Sequence, residues 1–184
     1  ILVMKSVLYK FLDIFSILFL REPVKLRVLA YHDIIDTDKF EDHVKFLVKS
    51  KYNIIGVNDL QEYLFDGKML PKNSVLITFD DGDVSVLDLG LPILQKYDLP
   101  SVMFVITGLI DSDNTFWCRW VELALQNQGK LYAESRLVVN SLKKMPNSER
   151  VAYLNKLDPI FSRQLTTDDI FKMQSEKMFI GNHT

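Results

Sequence analysis

The sequence predicts an α/β fold built on a parallel sheet, and three observations carry that reading. Short apolar runs rich in β-branched residues recur along the chain, and segments of helical spacing separate them. Several of these runs lead into polar or acidic residues, as in Tyr31-His32-Asp33 and Phe79-Asp80-Asp81. The chain has 184 residues with 48% hydrophobic content, enough for one domain with a real core and too apolar for a disordered polymer. A strand–helix–strand–helix order needs crossover helices, which makes the strands parallel, in a sheet that is open or closed into a barrel. Either form gathers ligand sites at the C-terminal ends of the strands.

The elements follow in order. Residues 26–31 form an apolar strand that runs into His32 and Asp33. Over 38–51, Phe40, Val44, Leu47 and Val48 recur at helical spacing, with Asp36 or Thr37 as cap. Residues 53–57 read as a short strand, and 58–65 as a short helix stopped by Asp66-Gly67. Pro71 leads into a buried strand over 74–81, and a helix covers 87–97. Leu99-Pro100 opens the strand 101–106. Between about 111 and 164 the rhythm breaks into helical segments, at 116–127 and 148–157, with 131–144 ambiguous between them. No Gly- or Ser-rich linker flanks this stretch, so it reads as a helical insertion within the domain 23–184. Thr166 or Thr167 then caps a helix through Met178, and a last strand covers 179–182 before His183-Thr184.

Composition excludes some functions. A net charge of -2 with scattered Lys and Arg gives no electrostatic footprint for nucleic acid. Cys118 is the single cysteine, so no intrachain disulfide forms, and it reads as a small buried hydrophobe. Residues 7–20, inside the N-terminal segment 1–22, carry Lys10, Asp13 and Ser16 on one face of an otherwise apolar helix. That segment fits a helix packed on the domain, an interfacial helix making peripheral membrane contact, or an uncleaved anchor. It is short and charged for a span, which takes about 20 apolar residues. The expected location is therefore cytoplasmic or membrane-associated.

Thr78-Phe79-Asp80-Asp81-Gly82 concentrates the chemistry. Two adjacent carboxylates at a strand end are costly for folding, because like charges at that distance push each other's pKa apart. Side chains alternate along a strand, so Asp80 and Asp81 point to opposite sides and suit different roles. One can hold a cation while the other moves a proton. With a histidine such as His183 at another strand end, the set suits a divalent metal. The plainer reading is a helix cap and a surface histidine.

The same five residues, followed by Leu91-Pro92-Ile93-Leu94 and Pro100-Ser101-Val102-Met103-Phe104-Val105, resemble the polysaccharide deacetylase family (NodB-homology domain, carbohydrate esterase family 4). Leu29-Ala30-Tyr31-His32-Asp33-Ile34 is similar to the opening strand of many bacterial members. Ile180-Gly181-Asn182-His183-Thr184 resembles the approach to the second family motif, His-Ser/Thr-x-x-His. The resemblance implies a distorted (β/α) barrel with fewer than eight strands. It implies Asp80 as general base, Asp81 and His183 as ligands of a divalent metal (zinc, or else cobalt or nickel), and His32 in the substrate pocket. The implied reaction removes N-acetyl groups from an N-acetylated polysaccharide of a bacterial surface, releasing acetate.

The sequence departs from the family pattern at its end. The second histidine of that motif is expected three positions beyond Thr184, the last residue. The later family motifs, which supply a base-positioning arginine, an oxyanion hole, an acetyl pocket and a general-acid histidine, are also not in it. The expectation is a partial barrel lacking its C-terminal strands, in a fragment or truncated product of reduced activity. The alternative is a non-catalytic carbohydrate-binding or remnant protein on the same fold. Asp81-Gly82-Asp83 also matches the Asp-x-Asp of nucleotide-sugar transferases, without a phosphate loop to support it. Trp117 and Trp120, three apart, suit insertion packing better than sugar stacking, and His43 suits a solvated helix face.

Overall fold

The computed structural model describes residues 26–183; the helix expected over 7–20, the segment 1–22 as a whole and Thr184 lie outside the described residues. The chain alternates β1 (Arg27–Tyr31), α1 (Thr37–Lys49), β2 (Asn53–Ile54), α2 (Val57–Phe65), β3 (Ser74–Phe79), α3 (Leu91–Lys96) and β4 (Ser101–Val105). Three insertion helices follow, α4 (Trp117–Asn127), α5 (Tyr132–Leu142) and α6 (Asn147–Leu154), and then α7 (Thr167–Ser175) and β5 (Met178–Asn182). Every strand pairing is parallel, in the order β1-β3-β4-β5 with β2 also on β3. β1 runs along one edge of β3, so β2 and β4 share the other, β2 at its start and β4 at its end. Among the described residues β1 and β5 each pair on one side only, so the sheet is an open arc, as a partial barrel requires. No described helix is long and apolar enough to cross a membrane.

Local chemistry accounts for the elements and for the boundaries that differ from expectation. Asp36 caps α1 by accepting the Lys39 N–H at 3.0 Å. Val57, read as strand for its β-branched side chain, starts α2 instead. The Asp59 carboxylate accepts the Gly56 N–H at 2.9 Å and fixes the helix start there. The helix expected over 87–97 divides into a π turn, Val86–Gly90, and α3. Pro92 has no N–H to donate and crowds the carbonyl four residues back, which widens the preceding turn. Thr166 caps α7 through the Asp169 N–H at 3.1 Å. Met178, expected at the end of that helix, is the buried first residue of β5, paired with Ser101.

β3 is buried along its whole length, which is why Ser74 to Phe79 reads as one apolar run. Phe79 packs with Tyr31 and Phe40, the ring centroids lying 5.3 to 5.9 Å apart. Tyr31 and Phe79 occupy the last positions of β1 and β3, directly before the residues that follow the strands, and Phe40 reaches them from α1. Burying a phenylalanine such as Phe79, 0% exposed, is worth about 1.5–3 kcal/mol. The strand ends are therefore held by core packing. Gly181 passes the Phe104 ring so closely that a Cβ would sit 2.7 Å from Cδ1.

The insertion has its own apolar cluster around Val121, Leu125, Val139 and Leu142. Trp117 and Trp120 pack against it, and the Trp120 indole N–H donates to the Asp158 carbonyl at 2.7 Å. The two tryptophans are thus packing residues of the insertion. Its neck is closed by backbone and side-chain bonds. The Asp111 N–H donates to the Leu165 carbonyl at 3.0 Å, and the Asp111 carboxylate accepts the Thr167 N–H at 2.9 Å. Thr115 Oγ1 donates to the Ile160 carbonyl at 2.6 Å. Three helices are in this way held against one end of the sheet.

Candidate active site

Because all strands run parallel, their C-terminal ends open on one face. Register places Tyr31 beside Phe79 and Val105 beside Asn182, so the residues that follow meet there. Sheet bonding extends one residue further on two strands. The Asp80 N–H donates to the Tyr31 carbonyl at 2.9 Å, and the His183 N–H donates to the Val105 carbonyl at 2.8 Å. Both motif residues are thereby anchored through the backbone.

Asp81 then turns away. It adopts φ +70° and Gly82 φ +80°, two successive left-handed residues. Aspartate tolerates that region better than most residues, and glycine enters it freely. Gly82 is buried against β4, where an added Cβ would lie 3.4 Å from the Val105 Cα. The different directions of Asp80 and Asp81 therefore arise from a left-handed turn beyond the strand and not from the pleat. β3 stops at Phe79, two residues earlier than the pattern suggested.

The turn brings Asp81 to His183, with Oδ1 3.8 Å from Nε2 and both side chains partly exposed. Zinc binds His nitrogen and Asp oxygen at about 2.0–2.2 Å, so one ion can touch both atoms of a pair at this separation. Among the described residues no group of three or more His, Cys, Asp and Glu is placed to hold a metal. The residues present thus fit two ligands of a divalent metal, where catalytic zinc sites usually have three from the protein.

A cavity of about 390 Å³ opens beside Asp81. Its sheet side is lined by His32, Asp33, Asp81 and Asp83, and its far side by insertion residues that include Phe116, Arg119 and Glu122. The cavity so brings together His32 and Asp81; Asp80 and His183, both half-buried, are not among its lining residues. Asp33 was not singled out by the sequence. Partial burial in the cleft raises its carboxyl above the usual range, and the Asp83 carboxylate adds to the effect. One oxygen of Asp83 accepts the Ser85 N–H at 2.9 Å, and Ser85 Oγ accepts the Ile34 N–H at 2.9 Å. Asp83 therefore caps the turn after the motif, which weakens the Asp-x-Asp reading. His43 is exposed on α1, its Nδ1 3.5 Å from the Tyr31 hydroxyl. Cys118 is buried, and burial pushes its thiol up to about 11.

The insertion residues Arg119, Glu122 and Arg136 also escaped the sequence reading. Glu122 and Arg136 belong to different helices, and nothing in the helical period of either links them.

Comparison with known proteins converges on one family. The family model for polysaccharide deacetylase matches residues 67–184, more than half of the chain. The poly-β-1,6-N-acetyl-D-glucosamine N-deacetylase of Staphylococcus aureus (strain MSSA476) is 34% identical over 80 residues, covering 44% of this chain and 27% of that protein. The Bacillus subtilis (strain 168) protein YxkH, whose name places it among polysaccharide deacetylases, is 32% identical over 92 residues, 46% of this chain and 33% of its own. Among solved structures, IcaB from Ammonifex degensii superposes with a TM-score of 0.57 at 22% identity, covering 86% of this chain and 52% of that one. The BpsB deacetylase domain from Bordetella bronchiseptica gives 0.56 at 17% identity, covering 89% and 57%. These two likenesses show a shared fold. The chain spans about half the length of those two structures, and its matches cover a third or less of the two sequence relatives.

Proposed function

The chain belongs to the polysaccharide deacetylase family, and from that premise we propose that it serves the metal-dependent hydrolysis of N-acetyl groups on a bacterial surface polysaccharide. The observation that carries the reading is the approach of Asp81 to His183 at 3.8 Å, one residue along from Asp80 and beside an open cavity. Asp81 and His183 would hold the cation, zinc or else cobalt or nickel. A divalent cation held there would supply Lewis-acid polarisation of an acyl oxygen. Asp80 is the general base that takes a proton from water as it attacks the acetyl carbon, and that proton passes to the departing nitrogen as the C–N bond breaks to give amine and acetate. His32, on the sheet side of the cavity, contacts the sugar. The name of the Staphylococcus relative makes a β-1,6-linked N-acetylglucosamine polymer the first substrate to try. Residues 7–20 add peripheral membrane contact to the proposal on their amphipathic pattern, for a cytoplasmic or membrane-associated protein.

A second reading is a non-catalytic carbohydrate-binding or remnant protein on the same fold. Acetate release from β-1,6-linked N-acetylglucosamine oligomers with added zinc separates the two. Asp80→Asn is expected to lower release about 100-fold or more while zinc binding persists. Asp81→Ala is expected to weaken zinc at least about tenfold by calorimetry. Release that Asp80→Asn leaves unchanged would sink the catalytic assignment, and sugar binding without release at any zinc concentration would favour the second reading.

A further inference from the structure

The insertion carries a buried charged group to the same cavity. Glu122 on α4 is only 5% exposed. Its carboxylate accepts from Arg136 Nη1 of α5 at 2.5 Å and lies 3.6 Å from Arg119 Nη1. Such a pair is a poor source of stability, because desolvating the charges offsets their attraction and apolar residues of equal volume hold helices as well. The α4–α5 seam already has an apolar solution in Val121, Leu125, Val139 and Leu142, each 3% exposed or less. What Glu122 adds is a fixed position for two guanidinium groups.

Those groups face the site. Arg119, Glu122 and Arg136 all line the cavity that Asp33 and Asp81 line from the sheet. The side chains of Arg119 and Arg136 are 46% and 40% exposed. A guanidinium has five N–H donors, so the contact with Glu122 leaves several on each arginine for a ligand. Phe116 and Tyr132 line the same cavity. The remaining guanidinium donors, set beside aromatic side chains, suit a neutral sugar rich in oxygen acceptors. Arg119 and Arg136 repel an ammonium group on their own side of the cavity, while the Asp33, Asp81 and Asp83 carboxylates line the opposite, sheet side.

We propose that Arg119 and Arg136 form a sugar-binding wall that the insertion adds to the active site. It recognises acetamido and hydroxyl oxygens of an N-acetylated unit next to the reacting one. Glu122 is the positioning residue of that wall. A unit bound against the two guanidinium groups is favoured when acetylated, since removing the acetyl group replaces an acceptor by a cation at that wall. The inference rests on the proposed deacetylase reading for its substrate class.

The test is calorimetric binding of a β-1,6-linked N-acetylglucosamine pentamer, and of its fully deacetylated counterpart, to the full chain with zinc. Wild type is expected to prefer the acetylated pentamer. Arg119→Ala and Arg136→Ala are each expected to weaken it about tenfold, the loss of one charged hydrogen bond, and to erode the preference. Glu122→Gln is expected to raise KM with kcat nearly unchanged, and Arg136→Lys to recover part of the affinity lost in Arg136→Ala. If Arg136→Ala does not fold, Arg119→Ala decides, because Arg119 is half exposed and makes only the longer contact. Unchanged affinity in an Arg119→Ala protein that melts like wild type would overturn the proposal, as would wild-type preference for the deacetylated pentamer. A wild type that releases no acetate would sink the proposed activity and leave the binding comparison to decide the wall.

Discussion

Gly82→Ala tests how backbone conformation delivers Asp81 to its partner. Gly82 sits at φ +80°, where an L-residue costs about 1–2 kcal/mol relative to glycine. The new Cβ would lie 3.4 Å from the Val105 Cα and 3.5 Å from its Cβ, ordinary van der Waals contacts, so the penalty is one of backbone conformation. A domain of this size loses about 2–4 °C of Tm per kcal/mol, so a drop of about 2–8 °C is expected. Gly67→Ala is the matching control. It has φ +71° with nothing within 4 Å, so it carries the same backbone penalty far from the motif. Calorimetric unfolding should show similar losses for the two variants. Zinc titration should separate them, with Gly82→Ala weakening binding more than about tenfold, because Asp81 is the neighbouring residue of the same turn and a displaced ligand is costly. A Gly82→Ala protein with wild-type Tm and zinc affinity would refute the reasoning, as would a Gly67→Ala protein that loses zinc equally.

Two further outcomes follow from titratable groups away from the motif. Hydrogen bonds from Lys96, then Tyr97 and Lys45, hold the Glu41 carboxyl down from 4.5 to about 2. A depressed carboxyl contributes stability above its unfolded value, and that stability is lost as pH falls from 4.5 through 2. Glu41→Gln should therefore flatten the acid side of a stability-versus-pH curve in that window, with a smaller effect at high salt, since these partners face solvent. An equally steep acid limb in the variant would contradict this. Cys118, with its thiol pushed up to about 11 by burial, should resist alkylation at pH 8 and react only in denaturant. Stoichiometric labelling of the native protein within minutes would contradict this.

The candidate site was legible in part because its parts sit where local patterns are strong. The buried run of β3 announces the strand, and Asp80 and Asp81 follow it directly. His32 and His183 come straight after β1 and β5 for the same reason. Where local signals compete, the sequence misleads. Val57 has a strand residue's side chain but lies one position after the Gly56 N–H that Asp59 caps. Met178 continues a helical spacing yet pairs with Ser101.

By itself the sequence determined the strand and helix alternation, the parallel sheet it requires, and which residues stand at strand ends, since periodicity, caps and turns depend on near neighbours. Only the tertiary structure decided that Asp81 swings through a left-handed turn onto His183, and that Glu122 reaches Arg136 across two insertion helices to wall the cavity. Those arrangements join residues from separate elements. They exist because β3 and β5 pair on either side of β4, and because α4 packs against α5.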